Sequence, residues 1–111
     1  MSVEETDKLL KSEKVYVFDC KLDLYYMVGH IPEAKLLWYE DVKPEVLPAD
    51  KAAKLLFYCK NEQCLSGPTA AKKAVALGYM NVYVMPEGIE GWVKAGKPTV
   101  KGEAAPAKST M

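Results

Sequence analysis

Arginine is absent from this sequence, whose 15 basic residues are all lysines. A planar guanidinium that grips a phosphate or carboxylate through two parallel hydrogen bonds is therefore excluded. The chain also lacks a surplus of positive charge, because 15 acidic residues balance the lysines, and this argues against a nucleic-acid partner. Since no apolar run approaches the length that spans a bilayer, we expect no membrane partner either.

The chain is too short for two domains of ordinary size. Its 111 residues are enough for one compact domain, and a hydrophobic content of 50% is enough for a packed core. We expect a single domain over residues 1–100 and a flexible C-terminal tail over residues 101–111, where the residues are small and polar. The first residues lack a basic segment followed by an apolar one, so no secretory signal is expected. A cytoplasmic protein and a trimmed periplasmic domain both remain open.

Short apolar runs alternate with helical patterns along the chain. The patterns predict strands at 15–18, 35–38, 54–58 and 81–85, helices at 3–11, 23–28, 68–77 and 87–95, and a helical turn at 40–46. Ser2 and Glu5 have the spacing of a capping box at the start of the first helix. This alternation predicts an α/β domain with a parallel sheet of about four to five strands between helical layers. Ligands bind at the carboxyl ends of such strands, where Asp19, Cys20 and Cys59 are expected.

Cys59 lies between a predicted strand and a polar loop that leads into a helix. The unpaired N–H groups at a helix start carry partial positive charge, which stabilises a thiolate and lowers its pKa. The N–H groups of residues 60–65 could add to this anion cradle. We therefore predict that Cys59 is the most reactive thiol, although a small buried side chain at a strand end is the alternative.

Three cysteines do not resemble the disulfide framework of a small secreted protein. Cys64 follows Cys59 by five residues, so it could be a resolving thiol or a small side chain packed under the loop. Cys20 is expected in the core. A metal site built from these cysteines and His30 would need ligands from three separate segments, and we predict none.

Several motifs together resemble the rhodanese family. The aspartate at Asp19, the turn from Val28 to Lys35 that contains Gly29-His30-Ile31-Pro32, and the pair Tyr58-Cys59 correspond to its motifs in the correct order. The segments 78–84 and 88–98 correspond to its closing motifs. The resemblance covers about residues 3–98 and implies the single-domain rhodanese fold. It also implies transfer of sulfane sulfur through a persulfide on Cys59, and a structural role for His30 in its turn.

The loop after Cys59 departs from the commonest family pattern, which reads Cys-x-x-Gly-x-Arg-Ser. Glu62 replaces the glycine, Cys64 replaces the arginine, and Ser66 falls one position late. The resemblance implies that the loop binds the sulfur donor, and its predicted binding residues are Lys60, Asn61, Glu62, Gln63, Cys64, Leu65 and Ser66. Without the arginine, Lys60 and the helix start are the local positive groups, which puts the use of thiosulfate in question.

A related branch of the fold, the phosphatases and arsenate reductases, uses Cys-x5-Arg, and Leu65 stands at that arginine position. The missing charge argues against both activities. We therefore predict a rhodanese-type sulfurtransferase without cofactor or metal. It would take sulfur from thiosulfate, polysulfide or a persulfide and pass it to a thiol or cyanide. The alternatives are a thiol–disulfide or persulfide relay that uses Cys59 and Cys64, and a non-catalytic binding module.

Overall fold

The computed structural model describes residues 1–102, which form one parallel sheet flanked by helices. The strands are β1 (Tyr16–Asp19), β2 (Lys35–Leu36), β3 (Lys54–Tyr58) and β4 (Asn81–Met85), in the spatial order β2-β1-β3-β4. The helices are α1 (Val3–Ser12), α2 (Asp23–Val28), α3 (Ser66–Ala76) and α4 (Gly88–Lys94). Within this described part, no helix has the length and apolarity needed to cross a membrane. Most of the predicted tail, from residue 103, lies outside the described residues.

The two faces of the sheet bury two separate apolar clusters. Alternate residues of β3 serve each face: Leu55 and Phe57 pack towards α3, whereas Leu56 and Tyr58 pack in the cluster that contains Trp92 of α4. All four of these β3 side chains are fully buried, as the predicted central strand requires. The predicted α/β sandwich is confirmed, with four strands.

Most element boundaries match the predictions, and the exceptions have local causes. β2 ends at Leu36 and not at residue 38, because Trp38 opens a 3-10 turn over Tyr39–Asp41. The predicted helical turn at 40–46 is two 3-10 turns, since Lys43 precedes proline and is extended. α3 starts at Ser66 and not at residue 68, because proline is tolerated throughout the first turn, where no intrahelical N–H bond is needed.

The turn that resembles the family motif around His30 is held by hydrogen bonds. His30 is buried, its Nδ1 donates to the carbonyl oxygen of Tyr26 at 2.9 Å, and its ring stacks on the Tyr26 ring. Its backbone pairs with Val100 in both directions. The structural role expected for His30 is therefore confirmed. Within the same turn Glu33 has a φ of 71°, a conformation that glycine adopts without strain.

A buried polar network joins the carboxyl ends of β1 and β3. The Asp19 carboxylate accepts from the backbone N–H and the ammonium of Lys21, and from the Tyr58 hydroxyl at 2.7 Å. The Tyr58 hydroxyl also accepts from the N–H of Ile31 at 3.0 Å, and the Lys21 ammonium donates to the Gly29 carbonyl at 3.3 Å. Burial raises the pKa of Tyr58 well above its usual range and lowers the pKa of Lys21, although the Asp19 carboxylate opposes the latter shift.

This network predicts a strong effect of Asp19→Asn. The change leaves the Lys21 ammonium buried without its counter-charge, so we expect the free energy of unfolding to fall by about 3–5 kcal/mol. Because the pKa of Lys21 is then lower in the folded than in the unfolded chain, the unfolded chain binds more protons. Stability should therefore recover partly as pH rises from neutrality towards the ordinary pKa of lysine. Urea unfolding at several pH values measures both effects.

The matched control is the double variant Asp19→Asn, Lys21→Met, which removes the unpaired charge as well. It should regain most of the lost stability and show no comparable pH dependence. If the double variant is as unstable as Asp19→Asn, the ion pair is not the source of the effect.

The amino end of α4 lies against the backbone of Cys59 and Lys60. The carbonyl oxygen of Cys59 accepts from the N–H of Ile89 at 2.9 Å, and that of Lys60 accepts from Glu90 at 3.0 Å. Gly88 permits this approach, since its φ is 66° and a Cβ there would lie 2.5 Å from the Cys59 carbonyl oxygen. The start of the loop after β3 is thus fixed by a second element.

We expect Gly88→Ala to displace α4 from this loop and to lower the free energy of unfolding by more than about 2 kcal/mol, from backbone strain and overpacking together. Gly96→Ala is the control, because Gly96 has a φ of 78° and a Cβ there would meet no atom of the described residues within 4 Å beyond its chain neighbours. It should cost only the backbone strain, on the order of 1 kcal/mol. Equal losses for the two variants, measured by urea unfolding, would contradict the close approach.

Candidate functional site

Cys59 stands directly after β3, at the carboxyl end of the sheet. Its residue is only 5% exposed, and its Sγ lies 3.9 Å from the carbonyl oxygen of Cys20 at the end of β1. The first turn of α3 packs closely against the same point, because Gly67 has no side chain to collide with the Tyr58 backbone, which lies 3.3 Å from the place that a Cβ would take. The expected convergence of strand ends and a helix start is therefore present around Cys59.

A cavity of about 330 Å³ opens beside Cys59. Besides Cys59 and other residues of its loop, the lining includes Leu22, Tyr25, Trp38 and Ser66. The volume is at the small end of the range for ligand sites. The cavity is therefore suited to a small donor or to the end of a thiol side chain.

Exposed apolar side chains lie at the mouth of this cavity. Leu22 is 54% exposed and Tyr25 is 49% exposed. The ammonium of Lys60 lies 5.1 Å from the centre of the Tyr25 ring, and both residues also line a neighbouring cavity of about 440 Å³. Lys60 thus contacts an aromatic face at the rim of the cavity. The sequence analysis expected its positive charge to support the binding of an anion.

Asn61 holds the loop in a tight turn. Its side-chain oxygen accepts from the N–H of Gln63 at 3.0 Å, and its carbonyl oxygen accepts from the N–H of Cys64 at 3.2 Å. Its side-chain amide donates to Glu90 of α4 at 3.3 Å. This turn brings Cys64 back towards Cys59.

These bonds correct the predicted anion cradle. The N–H groups of Gln63 and Cys64 are used within the loop, so they do not surround the sulfur. The carbonyl groups of Cys59 and Lys60 point to α4, and in a trans peptide the next N–H points the opposite way. The N–H groups of Lys60 and Asn61 therefore face away from α4.

The remaining residues of the predicted binding loop differ in exposure. Glu62 and Gln63 are exposed, and Ser66 is half-buried as the first residue of α3. Leu65 is 70% exposed and precedes α3 without a side-chain cap, which leaves donors at the helix start available to an anion. The side chain of the N-cap residue, Leu65, therefore does not occupy the hydrogen-bond donors at the positive end of α3.

Cys59 and Cys64 are joined by a disulfide, with their Cα atoms 6.1 Å apart. The sequence left this bond open as one of two interpretations of Cys64. In this state Cys59 carries no thiolate and cannot act as a nucleophile. The disulfide must therefore be reduced before the sulfur of Cys59 can react as a nucleophile.

Cys20 is a free thiol in the core, as expected. It is completely buried, and burial, with a further contribution from the Asp19 charge, raises its pKa well above that of an ordinary cysteine. A thiol that stays protonated and inaccessible is unreactive. Cys20 is among the residues that line the cavity beside Cys59, but its side chain is completely buried, so the candidate reactive thiols are those of the bonded pair.

Sequence reasoning missed two residues that shape the site. Lys21 contacts Asp19 beneath the cavity, and Gly88 fixes the loop to α4. The signal for Lys21 was its position two residues after a strand-end aspartate. Gly88 was recognised only as the first residue of a closing family motif. Its contact with the loop did not follow from the sequence, because its close neighbours lie about thirty residues away in the chain.

The fold resembles several solved structures. The BH2092 protein from Bacillus halodurans superposes with a TM-score of 0.83 at 23% identity, over 95% of this chain and 78% of that one. A thiosulfate sulfurtransferase from Pseudomonas aeruginosa also gives a TM-score of 0.83, at 24% identity, over 96% of this chain but only 20% of that longer chain. A possible tyrosine phosphatase from Rhodopseudomonas palustris gives 0.74 at 24% identity, over 89% of this chain and 82% of that one.

Identities this low establish the fold alone. Comparison with curated protein sequences returns no match. The model of the rhodanese-like domain family, however, matches residues 2–95, which is most of the chain. Together with the parallel sheet and the cysteine at the end of its central strand, this match shows that the chain belongs to the rhodanese-like domain family.

Proposed function

We propose that the protein is a sulfurtransferase that carries sulfane sulfur as a persulfide on Cys59. The observation that carries this proposal is the position of Cys59 at the end of β3, beside the start of α3 and next to a cavity of about 330 Å³. The loop residues Lys60, Asn61, Glu62, Gln63, Cys64, Leu65 and Ser66 would surround the donor. Family membership agrees with this chemistry.

The reaction begins after the disulfide has been reduced. The Cys59 thiolate attacks the outer sulfur of thiosulfate, a polysulfide or another persulfide, and the remainder of the donor departs with the bonding electron pair. Cys59 then carries a persulfide whose outer sulfur is anionic. An acceptor thiolate or cyanide attacks that outer sulfur and releases the Cys59 thiolate.

Backbone donors would stabilise both anionic forms of Cys59. The N–H groups at the uncapped start of α3 supply partial positive charge, and those of Lys60 and Asn61 face away from α4. No lysine of the buried network adds net charge, since Lys21 is paired with Asp19. A low pKa and high reactivity of Cys59 remain a prediction for the reduced protein.

Phosphoryl transfer fits the site less well, although one structural neighbour is a possible phosphatase. A transferring phosphoryl group spreads negative charge over three oxygens, and enzymes meet it with an arginine or a metal ion. This chain has no arginine. Lys60, the lysine within the loop, lies over the Tyr25 ring at the rim.

The first test is Cys59→Ser. We expect the folded variant to lose all sulfur transfer from a polysulfide to cyanide, because a serine oxygen does not form a persulfide. Thiocyanate production measures the activity, and urea unfolding of the reduced proteins checks the fold. Cys20→Ala is the control, because it removes the completely buried thiol, which is too inaccessible to attack a donor, and it should retain transfer. Thiocyanate production by a folded Cys59→Ser protein above that of a protein-free mixture of polysulfide and cyanide would refute the proposal.

The second test concerns the charge of the donor. Glu62 is an exposed carboxylate in a loop that would bind dianionic thiosulfate, so its charge opposes binding. We expect Glu62→Gln to lower the KM for thiosulfate by about 1.4-fold to fivefold, the effect of removing about 0.2–1 kcal/mol of exposed charge repulsion. The effect should shrink as salt is added.

Glu45→Gln is the matched control, because Glu45 is an exposed carboxylate in a 3-10 turn outside the loop. It should leave the KM for thiosulfate unchanged. An identical change in both variants would mean that the overall charge of the protein, and not the loop, determines the KM.

A further inference from the structure

The residue bonded to the candidate sulfur carrier is itself a cysteine of the same loop. The Cα atoms of Cys59 and Cys64 are 6.1 Å apart, and the bond closes a segment with a sequence separation of only 5. A second thiol within bonding distance of a persulfide sulfur would react with it. The pair therefore provides an internal acceptor that a lone cysteine does not have.

Contacts outside the bond also bring the two cysteines together. Asn61 accepts from the N–H groups of both Gln63 and Cys64, and its side chain is tied to Glu90. The backbone of Cys59 and Lys60 is fixed to α4. These hydrogen bonds belong to the folded loop, so reduction of the disulfide alone need not move Cys64 far from Cys59.

We propose that Cys64 is a resolving thiol that discharges the persulfide of Cys59 as sulfide, which makes the protein a sulfane-sulfur reductase. This inference rests on the proposed formation of the persulfide. The Cys64 thiol gives up its proton and attacks Sγ of Cys59. The bond between Sγ and the outer sulfur breaks, and the outer sulfur keeps the bonding electron pair, takes up that proton and leaves as HS⁻. The sulfane sulfur gains two electrons, and the two cysteine thiols lose two electrons to form the disulfide.

A dithiol reductant, such as a small redox protein with a cysteine pair, would restore the two thiols. The reductant can reach the sulfur of Cys64 more easily than that of Cys59, because Cys64 is half-buried whereas Cys59 is buried. The reductant would therefore attack Sγ of Cys64 and release Cys59 as the thiolate, near the start of α3. Each cycle then consumes one sulfane sulfur and one dithiol and yields one sulfide and one disulfide.

The other thiol of the chain does not fit this role. Cys20 is completely buried, and burial raises its pKa well above the usual range. Attack needs a thiolate that reaches the sulfur of Cys59. Cys20 can therefore serve as the matched control for Cys64.

The test compares the full-length protein with Cys64→Ser and Cys20→Ala. Each protein is fully reduced, freed of reductant without oxygen, treated with inorganic polysulfide and desalted. Intact mass and thiol counting then show what remains on the protein. A dithiol is added last, and the sulfide that it releases is measured.

We expect the unmodified chain to retain no extra sulfur, to have lost two thiols, and to release no sulfide when dithiol is added. Cys64→Ser should retain one extra sulfur atom and release it as sulfide only with the dithiol. Its persulfide should live longer by on the order of a hundredfold or more, since an intramolecular attack has been removed. Cys20→Ala should behave as the unmodified chain does, and a sample without polysulfide should keep all its thiols.

Three results would count against this inference. If the unmodified chain retains its extra sulfur as long as Cys64→Ser does, Cys64 does not resolve the persulfide, and the proposed sulfurtransferase stands alone. If Cys20→Ala retains sulfur and Cys64→Ser does not, the resolving thiol is Cys20. If Cys64→Ser takes up no sulfur at all, the persulfide on Cys59 is wrong and both proposals fail together.

Discussion

The Asp19 carboxylate is the interaction on which the rest of the site depends. It lies completely buried between β1 and β3 and accepts from Lys21 and from the hydroxyl of Tyr58. Tyr58 in turn accepts from Ile31 in the turn before β2, and its backbone continues directly into Cys59. A single buried acceptor thus links two strands, the turn around His30 and the segment that carries Cys59, and its own charge is balanced by the Lys21 ammonium.

This arrangement places a neutral pair under the site and leaves the electrostatics of the sulfur to the backbone. Peptide groups are fixed dipoles that need no reorganisation when charge appears, so they suit a sulfur that alternates between thiolate and persulfide. The same fixed backbone groups stabilise a bound dianion much less than a guanidinium would. For the proposed sulfur transfer, this geometry would therefore favour donors whose charge is low at the transferred atom.

Much of this structure follows from local sequence patterns. The apolar run at 54–58 predicts the central strand, and the spacing of Ser2 and Glu5 predicts a capping box that is present, with Glu5 N–H donating to Ser2 Oγ at 3.1 Å. The order of strands and helices predicts which residues reach one edge of the sheet.

The details of the site did not follow from the sequence, because they depend on contacts between distant segments. Asn61 consumes two amides that were expected to face the sulfur, and Gly88 is defined by the backbone of Cys59 and Lys60. Spacing alone could not decide whether Cys64 packs or bonds, since both arrangements fit five residues.

The turn that contains Glu33 shows how far such contacts reach into ordinary surface positions. Glu33 is exposed and has a φ of 71°, in a segment fixed before it by the hydrogen bond from the Ile31 N–H to the Tyr58 hydroxyl and after it by the bond from the Tyr26 hydroxyl to the Ala34 carbonyl oxygen. Because the neighbours hold the backbone in place, Glu33 cannot relax, and it bears a conformational cost on the order of 1 kcal/mol. Exposed positions usually tolerate most residue types with little effect on stability. At position 33, β-branched side chains would be disfavoured, and glycine, asparagine or aspartate would be favoured. The hydrogen bonds of neighbouring residues thus determine which residue types this exposed position tolerates.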